Sequence, residues 1–505
     1  MDSRLPVKLP PKRHTLIRST VAGDARRPGA QGPTGAFTDL ETPATEATPA
    51  RLIDELRERV GAAKVSQRED DIAVHSTDKW YASHPPDVVV FAENTDDVVA
   101  VMAFAHEYGV PVTTRGAGVG YVGGCVPLKG GIALSLARMN RILEVNAADG
   151  VAVVQAGVIT GDLQAAAREV GWDYPPDPAS LKECSIGGNI ATNAGGPRCL
   201  KYGVTRNYIL GLEVVLADGR VLKCGGRVHK NKTGFDLVGL FTGSEGMLGI
   251  VTTAVVRLIP RPPARAMLAA VFPEFATAAA AVQGILNSGH LPSALEITDG
   301  FTLAAARKRL GADRLPDGNA HLIVEVDGRP RAVASEIEEL EELLGKLGAA
   351  RIDRAETEEA CEGIWQLRRE FSYSLRDTGL TKLNEDIVVP RSKLVELVEF
   401  ARQLERETGI SVACFGHAGD GNIHTNLMVA DYDDPATRKK ANGALDRLFT
   451  WVLDHGGAIT GEHGVGMAKK PWIHQALGAT GLEVHRALKE AMDPGDTLNP
   501  GKFLD

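Results

Sequence analysis

Short apolar runs separated by turn residues dominate the chain from Pro85 to about residue 262, a pattern typical of β-strands. "VVVFA" predicts a buried strand, and Thr95 followed by two aspartates predicts the cap of a helix that ends at Gly109. "VPVTT" predicts the next strand, so this stretch is expected to form a β-α-β unit with parallel strands. Further strands are predicted at "GIALSLA", "ILEV", "VAVVQAG" and "GIVTTAVVRLIP", with a hairpin at "LEVVLADGRVLKCGG".

The pattern changes after "RPP" (261–263), which predicts a domain boundary. Beyond it, apolar strands alternate with helices predicted at 274–287, 300–310, 331–347, 358–377 and 391–407, and the strand "NIHTNLMV" follows. The first fifty residues instead combine basic residues with many Pro, Thr and Gly, which predicts a disordered extension over 1–50. A targeting segment is the alternative interpretation of that extension.

Composition narrows the class of protein. The 505 residues are 44% hydrophobic and 24% charged, as in ordinary globular proteins, and the net charge of −9 argues against a nucleic-acid partner. No run approaches eighteen apolar residues, so no transmembrane helix is expected. The six cysteines form no CxxC pair, which argues against a disulfide framework, a zinc ribbon or an iron–sulfur cluster. We therefore expect a cytoplasmic protein, with peripheral membrane association as a variant of that location.

Three predicted loops are unusually rich in glycine: "TTRGAGVGYVGG" from Thr113, "CSIGGNIATNAGGPRCLKYG" from Cys184 and "FTGSEGMLGIVT" from Phe241. Glycines let backbone N–H groups approach an anion closely, and Arg115 adds a positive charge to the first stretch. The spacing is not that of a Rossmann fingerprint, and no helix is predicted to follow. The first stretch is interpreted as a pyrophosphate cradle, with a flexible turn as the alternative.

Two histidines stand close together in "GHAGDGNIH", and a carboxylate elsewhere in the chain can complete a metal site with them. His424 and Asn426 share one face of the predicted strand, and the glycine turn can bring His417 beside them. "TGEHGVG" offers Glu462 next to His463. Two imidazoles and one carboxylate suit Zn, Fe or Mn. The alternative for each histidine is a structural residue that only packs in the core or lies at the surface. A metallohydrolase that uses the same three residues is the alternative enzyme class, but it would leave the three glycine-rich stretches unexplained.

Taken together, these motifs resemble the flavoenzymes of the vanillyl-alcohol-oxidase superfamily, in the branch of D-lactate, glycolate and D-2-hydroxyglutarate dehydrogenases, over about residues 83–505. The resemblance implies an α+β fold. It implies an FAD-binding domain of the PCMH type, with two subdomains, at 51–262 and a cap domain with an antiparallel sheet at 263–470. The segment 471–505 is expected to return to the FAD domain, with the substrate between the two domains.

The same resemblance implies which residues contact FAD. They are Arg115, Gly116, Ala117, Gly118, Val119, Gly120, Gly188, Asn189, Thr192, Asn193, Gly195, Gly203, Glu245, Gly246 and Ile250. Some relatives attach the flavin through a histidine of the first loop, but none occurs between Thr113 and Pro127, so a non-covalent FAD is expected. Cys125 is an alternative point of attachment, although a small buried residue is the simpler interpretation.

For the reaction, the resemblance implies a divalent metal (Zn, Fe or Mn) on His417, His424 and Glu462, with His463 as the catalytic base. Arg368, on the predicted helix "WQLRREFSYSL", is expected to bind the substrate carboxylate, with a solvated arginine as the alternative. The substrate residues also include Asn426 and Lys382. Because Lys382 is out of register with the substrate lysine of D-2-hydroxyglutarate relatives, a dicarboxylate substrate is in doubt.

The expected function is therefore flavin-dependent oxidation of a D-2-hydroxy acid such as D-lactate or glycolate, with hydride passing from C2 to flavin N5. One alternative is the FAD subunit of a multi-subunit glycolate oxidase, and another is a D-2-hydroxyglutarate dehydrogenase. Without cluster cysteines in this chain, a quinone, a cytochrome, an electron-transfer flavoprotein or partner subunits are expected to accept the electrons. A homodimer is a further expectation.

Overall fold

The computed structural model describes residues 47–504, except 312, 313 and 316. The extension predicted over 1–50 therefore lies almost entirely outside the described residues. The first part of the chain contains α1 (Ala50–Val60), β1 (Val65–Ser66), α2 (Glu69–His75), β2 (Val88–Phe91), α3 (Thr95–Tyr108), β3 (Val112–Arg115) and β4 (Ile132–Ser135). Their sheet has the order β1-β2-β4-β3, with β2, β4 and β3 parallel.

The predicted β-α-β unit is confirmed, with β4 inserted between its two parallel strands. The cap of α3 lies one residue earlier than predicted, because the Asn94 side chain accepts the backbone N–H of Asp97 at 3.0 Å. Thr95 instead donates its hydroxyl to Glu213 at 2.7 Å. Gly109 ends the helix in the left-handed conformation, as predicted.

The second part forms a five-stranded antiparallel sheet and a short two-stranded one. It contains β5 (Ile142–Asn146), β6 (Val151–Gln155), α4 (Thr160–Glu169), β7 (Trp172–Asp173), α5 (Ile186–Thr192), α6 (Cys199–Tyr202), β8 (Ile209–Val215), β9 (Val221–Gly225), α7 (Leu237–Phe241), β10 (Ile250–Arg257) and β11 (Ile259–Pro260). The larger sheet has the order β5-β6-β10-β8-β9 and includes the predicted hairpin, while β11 pairs with β7.

The third part is a seven-stranded sheet with helices on both faces. It contains β12 (Ala264–Phe272), α8 (Phe275–Asn287), β13 (Ala294–Asp299), α9 (Gly300–Leu310), β14 (Ala320–Gly328), α10 (Pro330–Lys346), β15 (Arg351–Ala355), α11 (Glu358–Arg376), β16 (Thr381–Val388), α12 (Leu394–Thr408), β17 (Ser411–His417), β18 (Asn422–Val429), α13 (Pro435–Asp454) and α14 (Ile473–Met492). Its order is β15-β12-β14-β13-β17-β18-β16, with every pair antiparallel.

The two faces of this sheet differ in chemistry because side chains alternate along each strand. One face packs the largest apolar core of the described chain against α8, α10, α12 and α13. The other face meets α9 and α11 through smaller apolar clusters. Strand pairing places Glu296 opposite His417 and Asp386 opposite His424, so polar residues gather on one sheet surface.

The C-terminal residues contact the first sheet again. Leu498 forms a parallel bridge with Val112, and the Lys489 ammonium donates to the backbone carbonyls of Met247 and Leu498. The Asn499 amide donates to the carbonyl of Glu245 at 2.8 Å. Across the part of the chain that the structure describes, no helix has the length and apolar character needed to cross a membrane.

A buried ionic cluster joins the second part of the chain to the seven-stranded sheet. The Arg198 guanidinium donates to both carboxylate oxygens of Glu325, at 2.7 and 2.9 Å, and also to Asp177. Arg265 and the indole N–H of Trp365 donate to Glu325 as well. Each of these charges has a close opposite charge, which offsets part of the cost of removing it from water.

Replacing Glu325 with Gln is expected to destabilise the protein at neutral pH by roughly 3–5 kcal/mol, because two partly buried guanidinium groups lose the fully buried carboxylate that they share. Burial opposes ionisation of Glu325, but Arg198, Trp365 and Arg265 outweigh it and lower the pKa of Glu325 to about 2. The stabilisation is therefore fully present above the ordinary value of 4.5 and is lost as pH falls towards 2. Thermal unfolding midpoints of wild type and variant should converge over that range.

The matched control is Glu358→Gln, because Glu358 also pairs with Arg265 but its side chain is 71% exposed. Its effect on stability is expected to stay within about 0.5 kcal/mol. Equal losses in the two variants would contradict the role assigned to the buried cluster.

Candidate active site

A cavity of about 480 Å³ is lined by residues from all three parts of the chain. Its lining includes sixteen of the residues predicted from the sequence: Gly116, Ala117, Gly118, Val119, Gly120, Gly188, Asn189, Thr192, Glu245, Gly246, Ile250, Arg368, His417, His424, Glu462 and His463. Six other predicted residues do not line it: Arg115, Asn193, Gly195, Gly203, Lys382 and Asn426. The chain thus brings the predicted flavin and metal residues to one place.

The first glycine-rich stretch follows β3 and forms one wall of the cavity. Arg115 does not point into the cavity, because its guanidinium donates to the carbonyl of Thr77 at 2.5 Å. A Cβ added at Gly118 would lie 2.0 Å from that guanidinium, so the arginine packs directly beneath the loop. A Cβ at Gly116 would lie 2.4 Å from the hydroxyl oxygen of Ser185, so the first stretch also packs against the second.

The second stretch was predicted as a loop, but much of it is helical. Ser185 caps α5 by accepting the N–H of Gly188 at 3.3 Å. Asn189 donates to the hydroxyl of Thr160, so its carboxamide is committed within the protein. Asn193 ends α5 in the left-handed conformation, and its side chain accepts the N–H of Arg206. These contacts shape the wall rather than offering side chains to a ligand.

Two further glycines of this stretch lie away from the cavity wall. Gly203 ends α6, and an added Cβ there would meet the Asn207 carboxamide at 2.3 Å. A Cβ at Gly195 would lie 3.3 Å from the Glu462 carboxylate, so this glycine lets the second stretch approach the predicted metal ligand.

The third stretch contributes a buried carboxylate. Glu245 adopts a left-handed backbone conformation, with φ of 51°, and its carboxylate accepts the N–H groups of Val465 and Gly466 at 2.8 Å each. It therefore ties the glycine-rich wall of the cavity to the turn that carries Glu462 and His463. A Cβ at Gly246 would meet no atom closer than 3.9 Å, so the backbone there is open to the cavity.

The three predicted metal ligands converge. Ligand atoms of His417, His424 and Glu462 all lie within 4.8 Å of one another. The Glu462 Oε1 atom lies 3.7 Å from Nε2 of His417 and 3.5 Å from Nε2 of His424. The other Glu462 carboxylate oxygen is buried without a hydrogen-bond partner among the described residues. Two imidazoles and a carboxylate with an uncommitted oxygen fit a divalent cation.

Glu296 orients two of the predicted site residues at once. Its Oε1 atom lies 2.5 Å from Nδ1 of His417, and its Oε2 atom accepts from the Arg368 guanidinium at 2.6 Å. Burial opposes ionisation of Glu296, but His417 and Arg368 outweigh it and lower its pKa to about 2. A carboxylate behind a ligand histidine fixes the ring and leaves Nε2 free for a cation.

The protonation of the imidazoles follows from their surroundings. Burial lowers the pKa of His424 to about 3, so its ring is neutral and able to act as a ligand. Burial also lowers the pKa of His463, which favours the form that accepts a proton. At His417, burial is outweighed by Glu296 and Glu462, which raise its pKa.

His463 lies beside the three convergent residues and lines the same cavity. Its Nε2 atom is 3.7 Å from Oε1 of Glu462, and its ring stacks on that of His424 with centroids 5.5 Å apart. Tyr121 of the first glycine-rich stretch packs on the ring, at 5.3 Å between centroids. The imidazole is therefore held between Tyr121 of the first glycine-rich stretch and the predicted metal ligands His424 and Glu462.

The two further substrate predictions lie outside the cavity lining. Lys382 donates to the hydroxyl of Ser372 at 2.8 Å, and burial together with Arg376 lowers its pKa to about 7. Asn426 is fully buried and donates to the carbonyls of Ala413 and His424, so it holds the strand of His424.

Sequence reasoning assigned no role to Glu296, Asn384 or Phe415, although all three line the cavity. An acid inside the apolar run "SALEIT" was the available signal for Glu296. Cys125 also lines the cavity, and burial raises the pKa of its thiol.

Comparison with solved structures identifies the fold. p-Cresol methylhydroxylase with bound substrate matches with a TM-score of 0.75 at 20% identity, over 91% of this chain and 98% of that one. 4-Ethylphenol oxidase from Gulosibacter chungangensis matches with a TM-score of 0.74 at 21% identity over the same shares. The chain therefore has the α+β fold of vanillyl-alcohol-oxidase-type flavoproteins, as predicted.

Sequence comparisons narrow the class to a family. Residues 86–225 match the model of an FAD binding domain, and residues 261–503 match that of the C-terminal domain of FAD linked oxidases. The glycolate oxidase subunit GlcD of Bacillus subtilis is 39% identical over 83% of this chain and 89% of that protein. A D-lactate dehydrogenase of Anaerostipes hadrus is 35% identical over 84% of this chain and 90% of that protein. The chain belongs to the FAD-linked oxidases and is an FAD-dependent oxidoreductase.

Replacing Gly116 with Ala is expected to weaken FAD binding roughly tenfold or more, because the added Cβ would displace the first loop from Ser185 at a cost of about 1–3 kcal/mol. Fluorescence titration of the flavin-free protein with FAD measures the change. Gly345→Ala, on α10 and outside the cavity lining, is the matched control, since its Cβ would meet no atom within 4 Å. If both variants bind FAD as wild type does, the first loop does not shape the flavin site.

Proposed function

We infer that this FAD-linked oxidase converts a D-2-hydroxy acid, such as D-lactate or glycolate, to the 2-oxo acid. The observation that carries the inference is the convergence of His417, His424 and Glu462 on a cavity whose other wall is glycine-rich. The names of the similar proteins, a glycolate oxidase subunit and a D-lactate dehydrogenase, support the same substrate class.

The glycine-rich stretches would hold the flavin, and FAD, when bound, would accept at N5 the hydride that leaves C2. His417, His424 and Glu462 would hold a divalent cation, which as a Lewis acid makes an adjacent hydroxyl more acidic. A 2-hydroxy acid suits such a site because its hydroxyl and carboxylate oxygens are close together. Side chains of the protein would catalyse the remaining step, which is removal of the hydroxyl proton.

Arg368 is proposed to bind the substrate carboxylate. It lines the cavity, and Glu296 fixes its Nε and Nη2 atoms at 2.6 Å. The guanidinium also lies over the Phe415 ring, 4.8 Å from its centroid, so its plane is set from two directions. A guanidinium held this way presents its remaining N–H groups in a fixed orientation.

His463 is proposed as the base that takes the hydroxyl proton. Burial favours its neutral form, and its ring lies between the metal ligands and Tyr121. The proton would pass to the imidazole as the C2–H bond breaks, leaving a carbonyl at C2.

A panel of substrates tests the proposal. Anaerobic addition of D-lactate or glycolate should bleach the flavin absorbance, and prior treatment with a chelator should slow that reduction strongly. We expect D-2-hydroxyglutarate to react less well, because Lys382 does not line the cavity. Rapid bleaching by none of the three acids would contradict the proposed function.

The base can be tested separately. His463→Asn should lower kcat by about 10²–10⁴-fold, because proton removal loses its catalyst, while FAD binding stays unchanged. Stopped-flow measurement of flavin reduction isolates that step. His485→Asn, at an exposed position on α14, is the control. A variant that reduces its flavin at the wild-type rate would rule out His463 as the base.

The physiological acceptor is proposed to be a partner subunit, a quinone, a cytochrome or an electron-transfer flavoprotein. The word subunit in the name of the Bacillus subtilis relative favours a complex. Turnover of the isolated chain with an artificial dye measures whether the oxidation of the acid depends on that partner.

A further inference from the structure

Asp386, in β16, has no assigned chemical role, yet its side chain makes an unusual set of contacts. The residue is fully buried, and its Oδ2 atom accepts the backbone N–H groups of Gly461, Glu462 and His463 at 2.9, 2.9 and 3.0 Å. The hydroxyl of Thr460 donates to the same oxygen at 3.0 Å. One carboxylate oxygen thus holds four consecutive residues of a turn.

The second oxygen of Asp386 reaches the strand that carries His424. Its Oδ1 atom accepts from the Asn422 carboxamide at 2.6 Å, and that carboxamide also donates to the carbonyl of Ile387 at 2.9 Å. Asn422 is the first residue of β18, two residues before His424. Asp386 therefore connects the strand of one predicted ligand to the turn of another.

Burying a carboxylate is costly, but only a carboxylate can accept hydrogen bonds both from the turn and from the Asn422 carboxamide. Asp386 lies 3.8 Å from the ammonium of Lys469, which also donates to the Asp386 carbonyl, so the charge has a cationic neighbour. A carboxamide at position 386 would have to turn its NH₂ towards either the turn amides or the Asn422 NH₂. Both orientations place a donor against a donor.

We propose that Asp386 is a positioning residue. By accepting the N–H groups of Glu462 and His463, it holds Glu462 in place to bind the cation and His463 in place to take the proton of the substrate hydroxyl. This inference rests on the proposed function, since it assigns Asp386 to the same cation and the same base. Asp386 acts through the backbone of the turn and does not touch the substrate.

The test compares wild type with Asp386→Asn by equilibrium dialysis against buffered Zn²⁺ and Mn²⁺, with FAD content measured in parallel. We expect the variant to bind each metal about 10- to 100-fold more weakly, as is typical when a group behind a ligand is lost, and to retain FAD. With metal saturating, kcat should still lie at least about tenfold below wild type, because the base is misplaced as well.

Asp299→Asn is the matched control. Asp299 is also a buried aspartate of the seven-stranded sheet, and its carboxylate accepts the backbone N–H groups of Thr302 and Cys414 at 2.9 and 2.7 Å. Its removal should leave metal affinity within about twofold of wild type, since neither partner belongs to the turn. Equal metal affinity in the Asp386 and Asp299 variants would overturn the proposal.

A second variant covers the case in which Asp386→Asn does not fold. Thr460→Val removes one of the four donors to Oδ2 and should weaken metal binding by about three- to tenfold. Unchanged metal affinity in Thr460→Val would contradict the positioning role proposed for Asp386. If wild type itself binds neither metal, the cation site of the proposed function fails, and this inference fails with it.

Discussion

The site depends on one turn, Thr460–Gly466, that is held between two buried carboxylates from different parts of the chain. Asp386, in the seven-stranded sheet, accepts the backbone N–H groups of residues 461–463, and Glu245, in the third glycine-rich stretch, accepts those of Val465 and Gly466. Charge-assisted hydrogen bonds of this kind are stronger than neutral ones and fix direction. Because Asp386 accepts the N–H of Glu462 itself and Glu245 holds the turn three residues later, these contacts set the distance of Glu462 from the glycine-rich wall and from the histidines.

The close packing around this turn explains why "TGEHGVG" contains so many glycines. A Cβ at Gly461 would lie 2.4 Å from the Asn422 amide, and one at Gly464 would lie 2.9 Å from the Glu245 carboxylate. Gly466 has a φ of +50° and leaves 2.3 Å between an added Cβ and the carbonyl of Val122. Each glycine allows a neighbour to approach the backbone directly, so the glycine density reflects packing against three segments rather than a mobile turn.

Much of the fold could be predicted because strand and helix periodicity is local: α9 begins and ends at the predicted residues, and the hairpin of β8 and β9 follows its Asp-Gly turn. His417, His424 and Glu462 could be grouped because they lie in two glycine-rich segments and match the metal site of the family that the chain resembles. Partners distant in sequence could not be predicted. Glu296 meets His417 across 121 positions, and nothing in "SALEIT" indicates that contact. The prediction of a loop for the second glycine-rich stretch is wrong, because the Ser185 cap stabilises a helix there although the glycine-rich composition disfavours one.

The distribution of buried charge explains why this part of the molecule suits a cation. Glu296 has the Arg368 guanidinium at 2.6 Å, and Asp386 has the Lys469 ammonium at 3.8 Å, so each of these carboxylates has a permanent positive neighbour. Glu462 differs, because its ionic partners within 4.0 Å among the described residues are the three imidazoles. Burial lowers the pKa of His424 and His463, whereas Glu296 and Glu462 raise the pKa of His417, so the positive charge beside Glu462 depends on a proton held by His417. A divalent cation on the Glu462 carboxylate would supply that charge beside His463, the proposed base, whose Nε2 atom lies 3.7 Å from Oε1 of Glu462.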